Sequence, residues 1–495
     1  MKKQVTKQTS GGRELIYQLE GRPPLGLAVP LGLQHVLSMF IGNLAPVLVL
    51  AGIISSVTGE AIITPQQKML MVQCCMFASG MTTLIQLYPL KIGAFQVGAG
   101  LPIVMGTAFA FVPTMRTLGA EFGVNVVLGS VIVGSLVELL MGFFIKPLKK
   151  FFPPLVIGAV LITIGLHLLP VGVQYLAGGA GPEANAALAV RLISEGKEVP
   201  ASVAALSAQY ASWQNLLIGG VVFITIILLQ RFGRGMFKIS AILIGIIVGY
   251  MVAVILGQVN FAAVKEAGII SVPIPFSITP VFKFEAIIGM AAIYVVSGLE
   301  TMGNINGITV AAFDREATIK ETSGAVMADA AGSMFAAVFN TLPNTAFGQN
   351  AGIVAMTKVV NKWCIATGAF VLILAGFVPK IGAIFSVMPS SVLGGAVVTV
   401  FAMIFLNGVK LIAKAGFSDR NLLILAITFG VGFAVGDNKL LVGRLPLVLQ
   451  YIFKDTTVAV CVISVLANIL FPASESDKAR LQAAQKEAAV EDVKG

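Results

Sequence analysis

Apolar stretches of roughly 17 to 25 residues recur from near residue 27 to near residue 472, punctuated by short clusters of Gly, Pro and charged residues. Each stretch is long enough to cross a hydrocarbon core of about 30 Å as a helix. The pattern predicts about fourteen spans, near 27–52, 68–88, 98–115, 124–146, 152–172, 215–231, 238–257, 285–308, 323–341, 348–358, 363–380, 387–412, 420–438 and 450–472. The chain therefore reads as an all-α polytopic membrane protein. A polar segment, 1–24, precedes the transmembrane domain of 25–472, and a charged tail, 473–495, follows it. The longest gap, about 173–213, carries Gly178-Gly179 and mixed polar residues and reads as an external connection.

Two spans are poor continuous helices. Residues 98–115 contain Gly98, Gly100, Pro102, Gly106 and Pro113, and residues 342–357 contain Pro343, Gly348 and Gly352. Broken spans free backbone N–H and C=O groups, which lipid tolerates only where they are buried in protein or line a cavity. Both breaks contain Leu-Pro, Leu101-Pro102 and Leu342-Pro343, and Val156-Ile157-Gly158-Ala159-Val160 of the fifth span is echoed by Leu393-Gly394-Gly395-Ala396-Val397 of the twelfth. Broken spans third and tenth, with echoes fifth and twelfth, share an offset of seven. Interrupted spans at matching positions in two halves predict a transporter of inverted repeats with a site between them at the midplane.

Composition supports the membrane reading: 57% of the 495 residues are hydrophobic and 11% are charged, against about a quarter charged in soluble domains. The formal net charge of +10 forms no basic stripe with interleaved aromatics, which argues against a nucleic-acid partner. Lys2, Lys3, Lys7, Arg13, Arg22, Lys146, Lys149, Lys150, Arg231, Arg234, Lys238, Lys358, Lys362, Lys410, Lys414, Arg420 and the tail lysines fall on one side if both termini are cytoplasmic, as the positive-inside rule requires. Residues 1–22 lack the apolar core of a cleavable signal peptide. Cys74, Cys75, Cys364 and Cys461 have no metal-ligand spacing and read as small core residues. No His-Glu-x-x-His, Gly-x-Ser-x-Gly or paired-Asp motif occurs in a span, so an intramembrane enzyme is not expected.

Few ionisable residues fall inside spans: His35, Glu138, His167, Glu300 and Asp329. A charge near the bilayer centre costs about 2.5 kcal/mol or more, so each needs a partner, a wet cavity or neutralisation. Glu300, among Ser297, Gly298 and Gly303, is the leading ligand-binding candidate; its alternative is a structural cap on a broken helix. Asp329 suits either a bond to backbone freed by the tenth span or proton coupling. His35, after Gln34, reads as a packing residue or a ligand contact, and Glu138 and His167 as helix–helix hydrogen-bonders. Gln349-Asn350 sets two amides side by side, offering donors and acceptors that suit a planar imide better than a bare inorganic ion. The following short helix aims its N-terminal N–H groups at the same place. Phe109 offers a face for a flat base or simply packs.

The run Gln349-Asn350-Ala351-Gly352-Ile353-Val354-Ala355-Met356-Thr357-Lys358 resembles the signature of the nucleobase-ascorbate transporters: Gln or Glu, Asn, any residue, Gly, four variable residues, Thr, then Arg, Lys or Gly. Leu15 to Pro24, Gln34-His35, the Leu-Glu-Thr-Met-Gly stretch at Glu300 and Leu342-Pro343-Asn344-Thr345 extend the resemblance, which is closest to bacterial xanthine and urate permeases. It implies a fourteen-span, seven-plus-seven inverted-repeat fold whose broken spans hold short extended pieces. A core domain (spans 1–4 and 8–11) would hold the site and move against a gate domain (spans 5–7 and 12–14), commonly in a homodimer.

The implied function is import of a purine base, xanthine or urate, with protons across the inner (plasma) membrane by alternating access, with no cofactor other than the coupling ion. By that resemblance Glu300 and Gln349 hold the base, and Ala108, Phe109 and Gly348 complete the pocket. Asn350 orders the broken helix, while Asp329 and His35 support the site and affect coupling. Two positions depart from xanthine members: Asn304 stands where a further carboxylate is common, and Ala108 where a polar residue is common. The alternatives are another nucleobase, such as the uracil of the branch with Glu in place of Gln349, and an inorganic anion carried by the similar sulfate-permease fold.

Overall fold

The computed structural model describes residues 14–53, 61–93, 95–148 and 151–472. The basic residues up to Arg13, the pair Lys149-Lys150 and the tail from residue 473 lie outside them. The spans begin with α1 (Leu25–Ala51) and α2 (Pro65–Leu87), followed by a hairpin of β1 (Leu90–Ile92) and β2 (Phe95–Val97). The third span is not one helix but β3 (Met105–Thr107) and the short α3 (Val112–Phe122). Then come α4 (Val124–Phe143), α5 (Pro154–Leu176), α6 (Ala180–Ser194), α7 (Ala201–Ser207), α8 (Trp213–Phe232), α9 (Ala241–Ile255), α10 (Phe284–Phe313) and α11 (Ile319–Val338). The tenth span is β4 (Asn344–Ala346) and α12 (Gln349–Thr357), and α13 (Lys362–Gly376), α14 (Ser390–Ala415), α15 (Asp419–Asp437) and α16 (Thr456–Leu470) complete the spans.

Among the described residues, eight single helices are long and apolar enough to cross a membrane. Two bent pairs, α13 with Pro379–Ser386 (81°) and Leu447–Phe453 with α16 (98°), bring the number to ten. The other predicted positions hold the two broken spans, the shorter α9, and α11, which carries Lys320, Glu321 and Asp329. The gap after α5 contains two helices, α6 and α7, packed on each other. Gly178 and Gly179, both at positive φ (122° and 103°), turn the chain before an Ala-rich run that has Glu183 in its first turn and Arg191 in its last, charges that suit the helix dipole.

Two compact units emerge, Met1–Phe144 with His167–Phe401, and Ile145–Leu166 with Ala402–Gly495. In the second, α15 packs along α16, and Leu155, Ile162, Ile412, Ile424 and Ala467 share a core. In the first, α4 packs against α10 and α11, and α13 against α1 and α2. Capping boxes start two of its helices: Thr64 with Gln67 begins α2, and Thr318 with Glu321 begins α11. Each box satisfies two orphan backbone donors and fixes where the helix starts.

Candidate functional site

The two broken spans meet. Strands β3 and β4 pair antiparallel, Met105 opposite Ala346, Gly106 opposite Thr345 and Thr107 opposite Asn344. The ladder continues past the strands: Phe347 N donates to Val104 O (3.0 Å) and Ala108 N to Pro343 O (2.8 Å). This crossing places the start of α3 and the start of α12 beside one short sheet in the buried part of the first unit. Gly106 leaves no room for a side chain, since a Cβ there would lie 2.8 Å from Met39 Cε and 2.9 Å from Phe347 Cδ2.

Backbone freed by the breaks must find partners inside the protein, and polar side chains of the flanking helices supply them. Asn43 Oδ1 of α1 accepts from Thr107 N (2.8 Å), Thr107 Oγ1 (3.0 Å) and Ser79 Oγ (2.7 Å). Thr83 Oγ1 of α2 accepts from Met105 N (2.9 Å). Ser333 Oγ of α11 donates to Asn344 O (3.0 Å) and accepts from Asn344 N (3.1 Å), while Asn344 Nδ2 donates to Thr82 Oγ1 (3.0 Å).

Asp329 is the centre of this network. Its Oδ1 accepts from Gln86 Nε2 (3.2 Å), and its Oδ2 from Thr345 Oγ1 (3.1 Å), Ala346 N (3.3 Å) and Thr301 Oγ1. One carboxylate thus ties α2, α10, α11 and β4 together, and one of its donors is backbone N–H of the broken tenth span. A carboxylate with this many donors is well satisfied without a cation.

The other predicted site residues sit around the crossing. Glu300 is half-buried on α10, and its Oε2 is buried with no hydrogen-bond partner among the described residues. One turn on, Asn304 Nδ2 donates to Ala346 O (2.7 Å). Gly348 has ordinary helical backbone (φ −64°, ψ −24°), so its lack of a side chain answers to space: a Cβ would lie 2.5 Å from Asn304 Oδ1. Gln349, the first residue of α12, is exposed. Asn350 is fully buried; its Oδ1 lies 3.5 Å from the Ser38 Oγ donor, and its Nδ2 has no partner among the described residues. His35 is buried one turn before Ser38, and its Nδ1 also lacks a partner among them.

Ala108 is buried at the end of the ladder, where its amide is spent on Pro343. Phe109 is also buried, with its ring edge-on to Phe401 at 5.3 Å between centroids. In this conformation the packing role of Phe109 is the one on display. The rear of the signature ends the helix: Thr357 Oγ1 bonds back to Ile353 O (2.8 Å), and Lys358, in the left-handed region (φ 55°), caps α12 and reaches Ala311 O (3.1 Å).

Sequence reasoning missed Asn43, Thr83, Gln86, Thr301, Ser333 and Asn344. A signal existed, because amides and hydroxyls inside apolar spans need partners just as charges do. Glu138, read as a helix–helix hydrogen-bonder, is fully buried on α4 and faces Ser297 of α10, with neither carboxyl oxygen in close hydrogen-bond geometry among the described residues. Among those residues no group of three or more His, Cys, Asp or Glu is placed to hold a metal, and all four cysteines are buried and free.

Comparison with known proteins agrees with this architecture. A family model described as a permease family matches residues 26–437. The chain is 32% identical over 456 residues to the xanthine permease of Bacillus subtilis, covering 91% of this chain and 95% of that protein. It is 30% identical over 461 residues to uric acid permease PucJ of the same organism, covering 92% and 95%. Among solved structures, the transmembrane domain of the cyanobacterial bicarbonate transporter BicA superposes with a TM-score of 0.52 at 12% identity, covering 87% of this chain and 97% of that one. The inward-facing murine anion transporter Slc26a9 gives a TM-score of 0.54 at 11% identity, covering 92% and 69%. At those identities the structural likeness speaks for the fold alone, the seven-plus-seven inverted-repeat transporter fold. The crossed broken spans and the matches along the chain together make it a member of the nucleobase-ascorbate transporter family of membrane permeases, a transporter and not an enzyme.

Proposed function

We propose that this permease is a proton symporter that imports a purine base, xanthine or urate, across the plasma membrane, with both termini cytoplasmic. The observation that carries the reading is the unpartnered carboxyl oxygen of Glu300. It lies one turn before the Asn304 amide that bonds the end of β4, close to the start of α12, where the Gln349 side chain is exposed. A carboxylate accepts from ring N–H groups, while a glutamine amide both donates and accepts, so the pair complements the alternating N–H and C=O edge of an oxidised purine. The α12 N-terminus adds the positive end of a short helix dipole. The names of relatives support the substrate class, since they are a xanthine permease and a uric acid permease.

The protein would alternate access by moving a core domain (spans 1–4 and 8–11) against a gate domain (spans 5–7 and 12–14), as a homodimer in lipid. Asp329 would keep the crossed strands in register, and His35 and Asn350, packed beside them, would support the pocket. The bicarbonate carrier shares only the fold with this chain, at 12% identity, so its substrate is not carried over. The test is competition of labelled xanthine uptake by unlabelled xanthine, urate, guanine, hypoxanthine, uracil and bicarbonate. Strong competition by xanthine or urate is expected; competition by bicarbonate or uracil alone would overturn the purine reading.

A further inference from the structure

Behind Glu300 lies a second acid with no assigned part in transport. Helix α4 presents Gly134, Glu138 and Gly142 at successive i, i+4 positions, one stripe on one face. Both glycines are close contacts. A Cβ at Gly134 would lie 3.0 Å from Tyr294 Cδ2 of α10, and one at Gly142 would lie 2.5 Å from Met327 Cγ of α11. Ser323 Oγ of α11 also bonds Gly142 O (2.7 Å). Small residues let the helix backbones approach, and the carboxyl between them is sealed at 0% exposure.

The surroundings of Glu138 are polar but unsatisfied. Its Oε1 lies 3.7 Å from where a Cβ at Gly298 would be, so it rests on α10 between Tyr294 and Glu300. Glu138 Oε1 and Oε2, Ser297 Oγ, Tyr294 Oη and Glu300 Oε2 are all buried without a hydrogen-bond partner among the described residues. Residues 294, 297 and 300 are spaced by three, so these groups run along α10 turn by turn. Native proteins rarely leave such a cluster unsatisfied, and buried water with two to four polar neighbours is the usual remedy.

The titratable groups facing Glu138 are Tyr294 and Glu300 of α10 and Asp329 of α11. Of the cations on the remaining neighbouring elements, Arg116 of α3 is bonded to Gln174 (3.3 Å), and Lys283, before α10, sits over the Phe122 ring (4.8 Å). Three carboxyls thus share one buried region and differ in their donors. Asp329 accepts four hydrogen bonds. Glu138 has only Ser297 facing it as a donor, outside close hydrogen-bond geometry, and a bare buried carboxylate costs several kcal/mol or more, which favours its neutral form.

We propose that Glu138 is a second proton-binding group of the transport cycle, exchanging its proton with the Glu300 carboxylate through Ser297, Tyr294 and ordered water. In that step the Glu138 O–H bond breaks, the proton passes along the hydroxyl and water chain, and an O–H bond forms at Glu300. The negative charge moves from one carboxyl to the other and no electrons are transferred. The proposal rests on the proton-symport reading above. It adds a store from which Glu300 is reprotonated without opening the substrate pocket to bulk water.

Infrared spectroscopy of the purified protein in lipid tests the protonation directly. At neutral pH the wild type should show a protonated-carboxyl carbonyl band that Glu138→Gln removes and Ser297→Ala shifts. In proteoliposomes, Glu138→Gln should lower proton-driven xanthine uptake by about tenfold or more, within the range of a lost acid–base group, with xanthine affinity changed by less than about threefold. Glu138→Asp, which keeps a carboxyl, should recover part of the uptake. If Glu138→Gln does not fold, Ser297→Ala decides, since an unshifted band together with normal uptake overturns the relay. A band that survives Glu138→Gln, or affinity lost in parallel with uptake, overturns the proposal alone. Wild-type uptake indifferent to a proton gradient overturns the symport reading and this inference with it.

Discussion

Replacing Gly348 with alanine tests whether the start of α12 is positioned by Asn304. The added Cβ would stand 2.5 Å from Asn304 Oδ1 and 3.1 Å from its Cγ, inside any normal contact distance. The Asn304 amide cannot swing away freely because its Nδ2 is bonded to Ala346 O at 2.7 Å. Either α12 shifts, at an overpacking cost of about 1 to 3 kcal/mol, or Asn304 lets go and leaves a buried carbonyl unsatisfied at about 1 to 3 kcal/mol. Gly348→Ala should therefore weaken xanthine binding by roughly 5- to 30-fold, the factor for about 1 to 2 kcal/mol. Asn304→Ala alone should cost a similar amount through the lost bond. In the double variant the alanine has room, so the cost should be that of Asn304→Ala only, with a coupling of about 1 to 2 kcal/mol. Calorimetric xanthine binding to the four purified proteins, with thermal unfolding as a check on folding, measures the cycle. Costs that simply add would show that Gly348 and Asn304 do not meet and would refute this account of the glycine.

Three further expectations follow from the same geometry. Glu300→Gln removes a charged acceptor whose bond to a base N–H contributes about 1.5 to 3 kcal/mol, so xanthine affinity should fall about tenfold or more; full affinity in folded protein would make Glu300 structural. Gln349→Glu faces a purine carbonyl with an acceptor, at about 1 to 3 kcal/mol or more, and paired xanthine and uracil uptake curves at matched expression should show xanthine transport lost; unchanged xanthine kinetics would remove Gln349 from the pocket. Asp329→Asn keeps one acceptor oxygen but turns an NH2 toward fixed donors such as Ala346 N or Gln86 Nε2, so the unfolding midpoint should drop along with xanthine affinity; an unchanged midpoint would mean the network tolerates the swap.

The membrane spans were legible because each is a long apolar run, and the two breaks because several Pro and Gly cluster within one span, whereas single prolines such as Pro30 and Pro46 leave α1 continuous. The pairing of the breaks was harder to foresee in detail. Nothing in Met105–Thr107 or Asn344–Ala346 reads as a strand, and only the approach of the two segments makes them one. Asp329 had two open readings, and four hydrogen bonds, one from Ala346 N, favour the structural one. Asn304 looked like a missing carboxylate; its amide donates to a carbonyl, which an ionised carboxylate could not do. Glu138 carried no pattern, since a single acid in an apolar span reveals neither its partners nor their absence. The helices after Gly178-Gly179 were hidden because their Ala-rich runs are short and interrupted by Gly, Pro and charged residues, which reads as a loop until α6 is seen packed against α7.

Accumulation of labelled xanthine by proteoliposomes holding the wild-type protein tests the transport mechanism most directly. Uptake should rise above equilibrium when an inward proton gradient is imposed, collapse with a protonophore, and be blocked by excess unlabelled xanthine or urate. Uptake that follows a sodium gradient alone, or no accumulation of any purine under a proton gradient, would contradict it.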